Sequence, residues 1–287
     1  MIIDRTKKPT SNSEISFKLP KTEKFKLSNG LDVYSIYKNK LPFVRINLML
    51  NAGSKFDPKY KNGLSYLTSL VLDEGADGMN ALELSDEFDM LGSNFNLSTD
   101  NDLINISLQS LSDKFERSLE LFSKVLLRPS FNEQDFEREK KKLITRILQS
   151  KDEPEYLAEQ VFDTVVLGNS NGYSSPVSGY EDTVNPISLD DVKDYYLRFF
   201  IPSNSALVVV GDINKEELNI LLDKYLSNWI DKKNSFTFND SLTDQSRKIY
   251  LLHKEGSVQT EIRVGHLSEK RNQKDFFQRH ILNTILG

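Results

Sequence analysis

The sequence contains no cysteine, three histidines and one tryptophan in 287 residues. Without cysteine there are no disulfides, no thiolate zinc sites and no cysteine nucleophiles, and the redox compartment stays open, since such a chain suits cytosol and periplasm alike. The histidines are His253, His266 and His280, so nothing earlier in the chain can use an imidazole as base or metal ligand. Their spacing resembles no known zinc ligation, and they are expected to be ordinary polar or packed side chains. No apolar run approaches the roughly 20 residues that cross a bilayer, so no membrane span is expected. Met1 to Pro20 lacks the apolar core of a secretory signal, which makes the chain cytoplasmic as written; a periplasmic location would need a signal upstream. Broad positive charge is missing too. The net charge is −5 with both signs interspersed, which argues against nucleic acid as the main partner. Lys140-Lys141-Lys142 is too short to change this and is expected on a solvated helix face.

What is present is 38% hydrophobic and 28% charged, enough for one large domain or for one domain and part of another. Residues 1–22 form a polar leader with Pro9 and Pro20. Phe25 to Leu27 and Leu31 to Tyr37 flank Ser28-Asn29-Gly30, a hairpin signal, and Val44 to Ala52 makes a third strand. Leu64, Leu67, Leu70 and Val71 then recur at the spacing of one helix face, predicting a helix over 63–74. A helix at Ala81 to Leu91 leads into Asn94 to Leu97 and Leu103 to Leu111, whose alternation predicts two antiparallel strands. Helical patterns follow at 113–127, 132–149, 154–166 and 188–200, with Ser188 as a cap. A strand at Ala206 to Val210 and a helix at Lys215 to Tyr225 close this part. Residues 231–246 have the polarity of a linker. Arg247 to Leu252 and Thr260 to Gly265 then predict strands, and Lys274 to Leu286 a helix. The expected fold is α+β, an antiparallel sheet covered by helices on one side.

Isolated chemical signals are weak. The glycine-rich stretch at 168–179 has no phosphate-binding pattern and is expected to be a surface loop. Asp73 and Glu74, adjacent at a helix end, are expected to be solvated. Ser65 and Ser69 have no histidine or lysine at a spacing that would activate a nucleophile. Asn-x-Ser triplets at Asn96, Asn105 and Asn239 arise easily by chance.

The string from Asn51-Ala52-Gly53-Ser54 through Asn62-Gly63-Leu64 and Ser65-Tyr66-Leu67-Thr68-Ser69-Leu70 carries a more specific signal. It resembles the M16 family of insulinase, pitrilysin and mitochondrial-processing-type peptidases. Further resemblance lies at Asn29-Gly30-Leu31, Gly179 to Val184, Tyr195 to Pro202, Val208 to Asp212 and Val258 to His266, in family order along nearly the whole chain. In that family Asn-Gly-Leu leads into a helix bearing His-x-x-Glu-His, whose histidines bind zinc and whose glutamate activates the metal-bound water. Matched from Gly63, the histidine positions carry Tyr66 and Leu70 and the base position Ser69. The family's third ligand, a glutamate on a later helix, matches Arg146, with a supporting acid at Glu139; a one-residue slip would substitute Thr145 or Ile147. A guanidinium repels a cation.

The resemblance therefore implies an M16-type roll without catalytic, cofactor or metal residues of its own. Its implied organisation is an irregular leader at 1–22, an M16-like domain at 23–230 lacking the zinc site, a linker at 231–246 and the start of a second M16-like lobe at 247–287 that continues beyond Gly287 in the family. Taken alone, strands in that last segment would have open edges. The expected role is a non-catalytic subunit that forms a heterodimer with a homologous zinc-bearing subunit and helps enclose and bind peptide substrates. Two alternatives stand beside it, a structural core subunit of a larger assembly and an active metallopeptidase with atypical ligands.

Overall fold

The computed structural model describes residues 18–232, 234–242 and 246–286. The hairpin predicted around Asn29-Gly30 forms between β1 (Glu23–Lys26) and β2 (Asp32–Tyr37). Gly30 takes φ +94° in the connecting turn, and Asn29 Oδ1 accepts the N–H of Leu31. β3 (Phe43–Leu50) follows, and then a loop leads into α1 (Leu64–Leu72). A small hairpin of β4 (Gly75–Ala76) and β5 (Met79–Asn80), which the sequence pattern did not signal, precedes α2 (Ala81–Met90). Asn80 and Glu83 form a reciprocal capping box at the start of α2, satisfying donors that a bare helix end leaves open.

β6 (Asn94–Thr99) and β7 (Ile104–Leu111) pair antiparallel as expected. Three helices then run in succession, α3 (Phe115–Leu127), α4 (Glu133–Ser150) and α5 (Pro154–Leu167). Proline at the first position of α5 is tolerated because the N–H there has no helical partner. After the short α6 (Glu181–Val184) come α7 (Leu189–Phe199), β8 (Ser205–Gly211) and α8 (Lys215–Leu226). Ser188 caps α7 as predicted, accepting from the Asp191 N–H.

The main sheet has six strands in the order β1-β2-β8-β3-β7-β6. All pairs are antiparallel except β2 with β8. Alternation along the strands puts Val44, Ile46, Leu48 and Leu50 of β3, Ile104, Ile106 and Leu108 of β7 and Leu207 and Val209 of β8 into one buried layer. Phe115, Phe122, Leu126, Phe136 and Leu143 from the helices fill the same layer. The opposite face carries Arg45, Asn47, Asn105 and Gln109 and remains polar or half-exposed. β6 is an edge strand, so one row of its backbone groups has no ladder partner among the described residues.

Past residue 231 the expectations are partly overturned. The linker is no free tether: Phe236 packs on Phe56 and Phe199, and Phe238 on Phe56 and Tyr173. The strands expected at Arg247 to Leu252 and Thr260 to Gly265 do not form. A strand exists through the ladder bonds of its neighbour, and no described strand lies beside either segment. Ile249, Leu251 and Val264 are accordingly almost fully exposed. The last helix does form, as α9 (Phe276–Leu286). Of the expected leader, residues 1–17 lie outside the described residues.

Candidate functional site

The helix that carries Tyr66, Ser69 and Leu70 is held at its start by contacts that only particular residues permit. Gly63, in the left-handed region at φ +97°, sits at the N-cap immediately before α1. Asp57 Oδ2 accepts the Gly63 N–H at 2.7 Å and Oδ1 the Ser65 N–H at 2.9 Å, so one carboxylate serves two donors that the helix itself cannot satisfy. Asp57 is partly exposed as a residue, but its carboxyl is enclosed: burial pushes it up to about 7, against the N–H bonds that favour its charge. Behind this turn, Tyr195 on α7 donates to the carbonyl of Ala52 at 3.0 Å.

Tyr66, Ser69 and Leu70 share the i, i+3, i+4 face of α1. Ser69 is buried, donates to the Tyr66 carbonyl at 2.7 Å and accepts from Thr99 Oγ1 of the edge strand at 2.8 Å. Leu70 packs half-buried against the core. Arg146, exposed on α4, donates from Nη1 to Tyr66 Oη at 2.8 Å. The fold thus unites the side chains that the sequence singled out from two distant segments. The donor set is a phenol, a hydroxyl, an alkyl group and a permanent cation, and it does not fit zinc, which takes histidine, cysteine and carboxylate ligands. Among the described residues no group of three or more histidine, aspartate or glutamate side chains is arranged to hold a metal ion. The three histidines are exposed and far apart in role: His280 stacks on Phe276, while His266 Nδ1 meets the Leu267 carbonyl.

Toward the other end of α1 lies an acidic group. Asp73, expected to be solvated, is largely enclosed; burial pushes its carboxyl up to about 6, and the nearby charge of Glu139 adds to the rise. Glu74 is raised by burial and by Glu139 although Arg138 pairs with it. Glu139 is buried, which opposes its charge, yet Lys142 at 2.6 Å, Glu74 and Arg138 hold its carboxyl below the ordinary glutamate range. Two adjacent acids at a helix end gave no sign of this, because the charges of Glu139 and Arg138 that act on them come from α4, a separate stretch of the chain. The lysine run is also less solvated than expected, since Lys140 donates to the Ile187 carbonyl at 2.7 Å.

The loop at 168–179 is built into the structure instead of lying on it. Asn171 and Ser174 are buried, and Asn171 Nδ2 and Gly172 N–H donate to the Ser241 and Asn239 carbonyls. Lys55 bonds Asp102 at 2.6 Å while lying over the rings of Phe56, Tyr173 and Phe238. This cage fastens the loop and the linker to the segment before α1 and to the β6–β7 turn.

Residues 32–174 match the insulinase family, peptidase family M16, and residues 186–287 match the peptidase M16 inactive domain. The chain belongs to the M16 peptidase family. Its M16 relatives include the zinc protease PqqE of Helicobacter pylori, 23% identical over 94% of this chain and 62% of that protein. They also include the non-peptidase homolog YmxG of the same organism, 23% identical over 66% of this chain and 44% of that protein. The chain therefore spans about three-fifths of the length of PqqE and less of YmxG. The fold matches the crystal structure of a peptidase M16 inactive domain from Pseudomonas fluorescens with a TM-score of 0.73 and 24% identity, over 76% of this chain and 53% of that one.

Proposed function

We propose that this M16-family chain is a non-catalytic partner of a zinc-bearing M16 subunit, with which it encloses and binds extended peptide substrates. The observation that carries the reading is the pairing of Tyr66 with Arg146 at the positions where the family resemblance places zinc ligands. A guanidinium lodged there disfavours a dication whatever else surrounds it. The reading is further supported by the existence of a relative named a non-peptidase homolog. Edge strand β6 offers unpaired backbone donors and acceptors alongside α1, and an extended peptide could add to it as a further strand, the ladder supplying affinity irrespective of sequence. In this assignment the domain at 23–230 supplies the binding wall and residues 247–287 begin a second lobe.

The test is to assay peptide cleavage by the purified chain alone and after mixing with an M16 subunit that carries His-x-x-Glu-His. The expected result is no cleavage alone, and cleavage by the mixture that exceeds what the zinc-bearing subunit achieves by itself. Chelator-sensitive cleavage by the chain alone would overturn the reading.

A further inference from the structure

Arg146 is placed as a cation without an anion. Its Nη1 donates to Tyr66 Oη at 2.8 Å, and no ion pair among the described residues includes it. Several acids of the neighbouring elements are already engaged: Glu139 with Lys142 and Arg138, Glu74 and Asp135 with Arg138, and Glu181 of α6 with Lys151. Seven residues separate Arg146 from Glu139 on α4, which sets the two about 10 Å apart along the helix. Among the described residues no ion pair joins that acidic group to the Arg146 guanidinium. An arginine presents five N–H donors, and one of these is used here.

The bond to Tyr66 also fixes which way the phenol acts. Because Tyr66 Oη accepts from Arg146, its own hydrogen is left to donate outward. The guanidinium and phenol thus form a pair of donors with no acceptor between them, on an exposed patch where α1 meets α4. Ser69, one turn further along α1, is bonded to Thr99 at the end of the edge strand. A peptide lying along β6 would bring its groups beside this patch.

We propose that Tyr66 and Arg146 form a carboxylate-binding site, which selects peptides by an anionic group placed next to edge strand β6. One carboxylate oxygen would accept from the free edge of the guanidinium and the other from the Tyr66 hydroxyl. Charge-assisted bonds of this kind are stronger than neutral ones, and arginine suits the planar carboxylate. The group can be a peptide's terminal carboxylate or an aspartate or glutamate side chain, since both present the same atoms. This rests on the peptide-holding role proposed above.

The experiment measures polarisation of fluorescein-labelled decapeptide mixtures of randomised sequence titrated with the full chain. One mixture has free C-terminal carboxylates, a second has amidated C-termini, and a third and fourth repeat these without aspartate or glutamate. The mixture lacking both anions is expected to bind about tenfold more weakly than the one carrying both, the loss of one charge-assisted bond. The mixture that retains full affinity identifies terminal or side-chain carboxylate as the source. Arg146→Gln should erase the difference, Tyr66→Phe should reduce it, and Arg146→Lys should keep the charge preference while weakening it. Arg146 is exposed, so these variants should fold, and circular dichroism checks that they do. Equal binding of all four mixtures, or an unchanged preference in Arg146→Gln, overturns the carboxylate site while leaving peptide binding intact. Failure of every mixture to bind overturns both this site and the peptide-holding role.

Discussion

Thr99 donates to Ser69 at 2.8 Å, joining the last residue of edge strand β6 to the middle of α1. Ser69 in turn donates to the Tyr66 carbonyl, so the chain of hydroxyls is complete only when both side chains are present. Removing one partner leaves a poorly solvated hydroxyl, whereas replacing both with apolar groups leaves none. Ser69→Ala should lower stability by about 1–2 kcal/mol, and Ser69→Ala combined with Thr99→Val should recover part of that loss. Urea unfolding of the two single variants and the double variant measures the coupling. Strict additivity would show that the bond contributes nothing to holding the helix against the strand.

Gly179 approaches the turn before α1 so closely that a Cβ there would lie 2.0 Å from the Asn62 carbonyl oxygen, and its φ of +70° already disfavours other residues. Both effects point the same way. Gly179→Ala should destabilise the fold by roughly 3 kcal/mol, through strain and displacement of the Asn62-Gly63 turn. Gly30 has a positive φ as well but open space around it, so Gly30→Ala should lose only about 1 kcal/mol. Thermal unfolding of both variants checks the ranking, and the crowded site must be the more sensitive.

Asp73 gives the stability a specific pH dependence. Its folded carboxyl is raised from 3.8 to about 6, so between those values the folded chain holds a proton that the unfolded chain has released. Stability from this residue therefore falls as pH rises through that window and is flat above it. Glu139, held below its ordinary range, contributes in the opposite sense and only at lower pH. Asp73→Asn removes the titration, so relative to the parent its stability should improve by about 2 kcal/mol between pH 4 and pH 7. Paired urea melts across that range test this. A difference independent of pH would mean that Asp73 keeps an ordinary carboxyl.

Much of the fold up to α8 was legible because its signals are local. Val44, Ile46, Leu48 and Leu50 alternate, Ser188 caps and Pro154 opens a helix, and each feature acts within a few residues of itself. The candidate site was legible in position but not in contact: Tyr66 and Arg146 could be named from the sequence, whereas their hydrogen bond depends on how α1 packs against α4. The influence of Glu139 on Asp73 likewise depends on packing between elements distant in the chain. Phe236 and Phe238 were hidden in a stretch whose composition is that of a linker, since two aromatic anchors barely alter an average. The strands expected after residue 246 failed for the converse reason, because their apolar patterns ask for neighbours that the described residues do not provide.

If the scaffold itself is still shaped for metal, restoring ligands should restore binding. Tyr66 and Leu70 lie four apart on one helix face, and Arg146 already touches the Tyr66 side chain from α4. The triple variant Tyr66→His, Leu70→His, Arg146→Glu would supply two imidazoles and a carboxylate, the donor set of many open zinc sites. It removes the guanidinium in the same step. We expect zinc near one equivalent per chain in the triple variant and well below that in the parent, measured by elemental analysis after dialysis against trace zinc. The variant with Arg146 retained should bind far less, because the remaining cation opposes the metal. Stoichiometric zinc in the unaltered chain would instead place a metal site elsewhere and undo the assignment of Tyr66, Leu70 and Arg146. Ser69 is left unchanged on purpose: with no carboxylate at the base position, the refitted site should hold metal without cleaving peptides, which separates loss of the ligands from loss of the base.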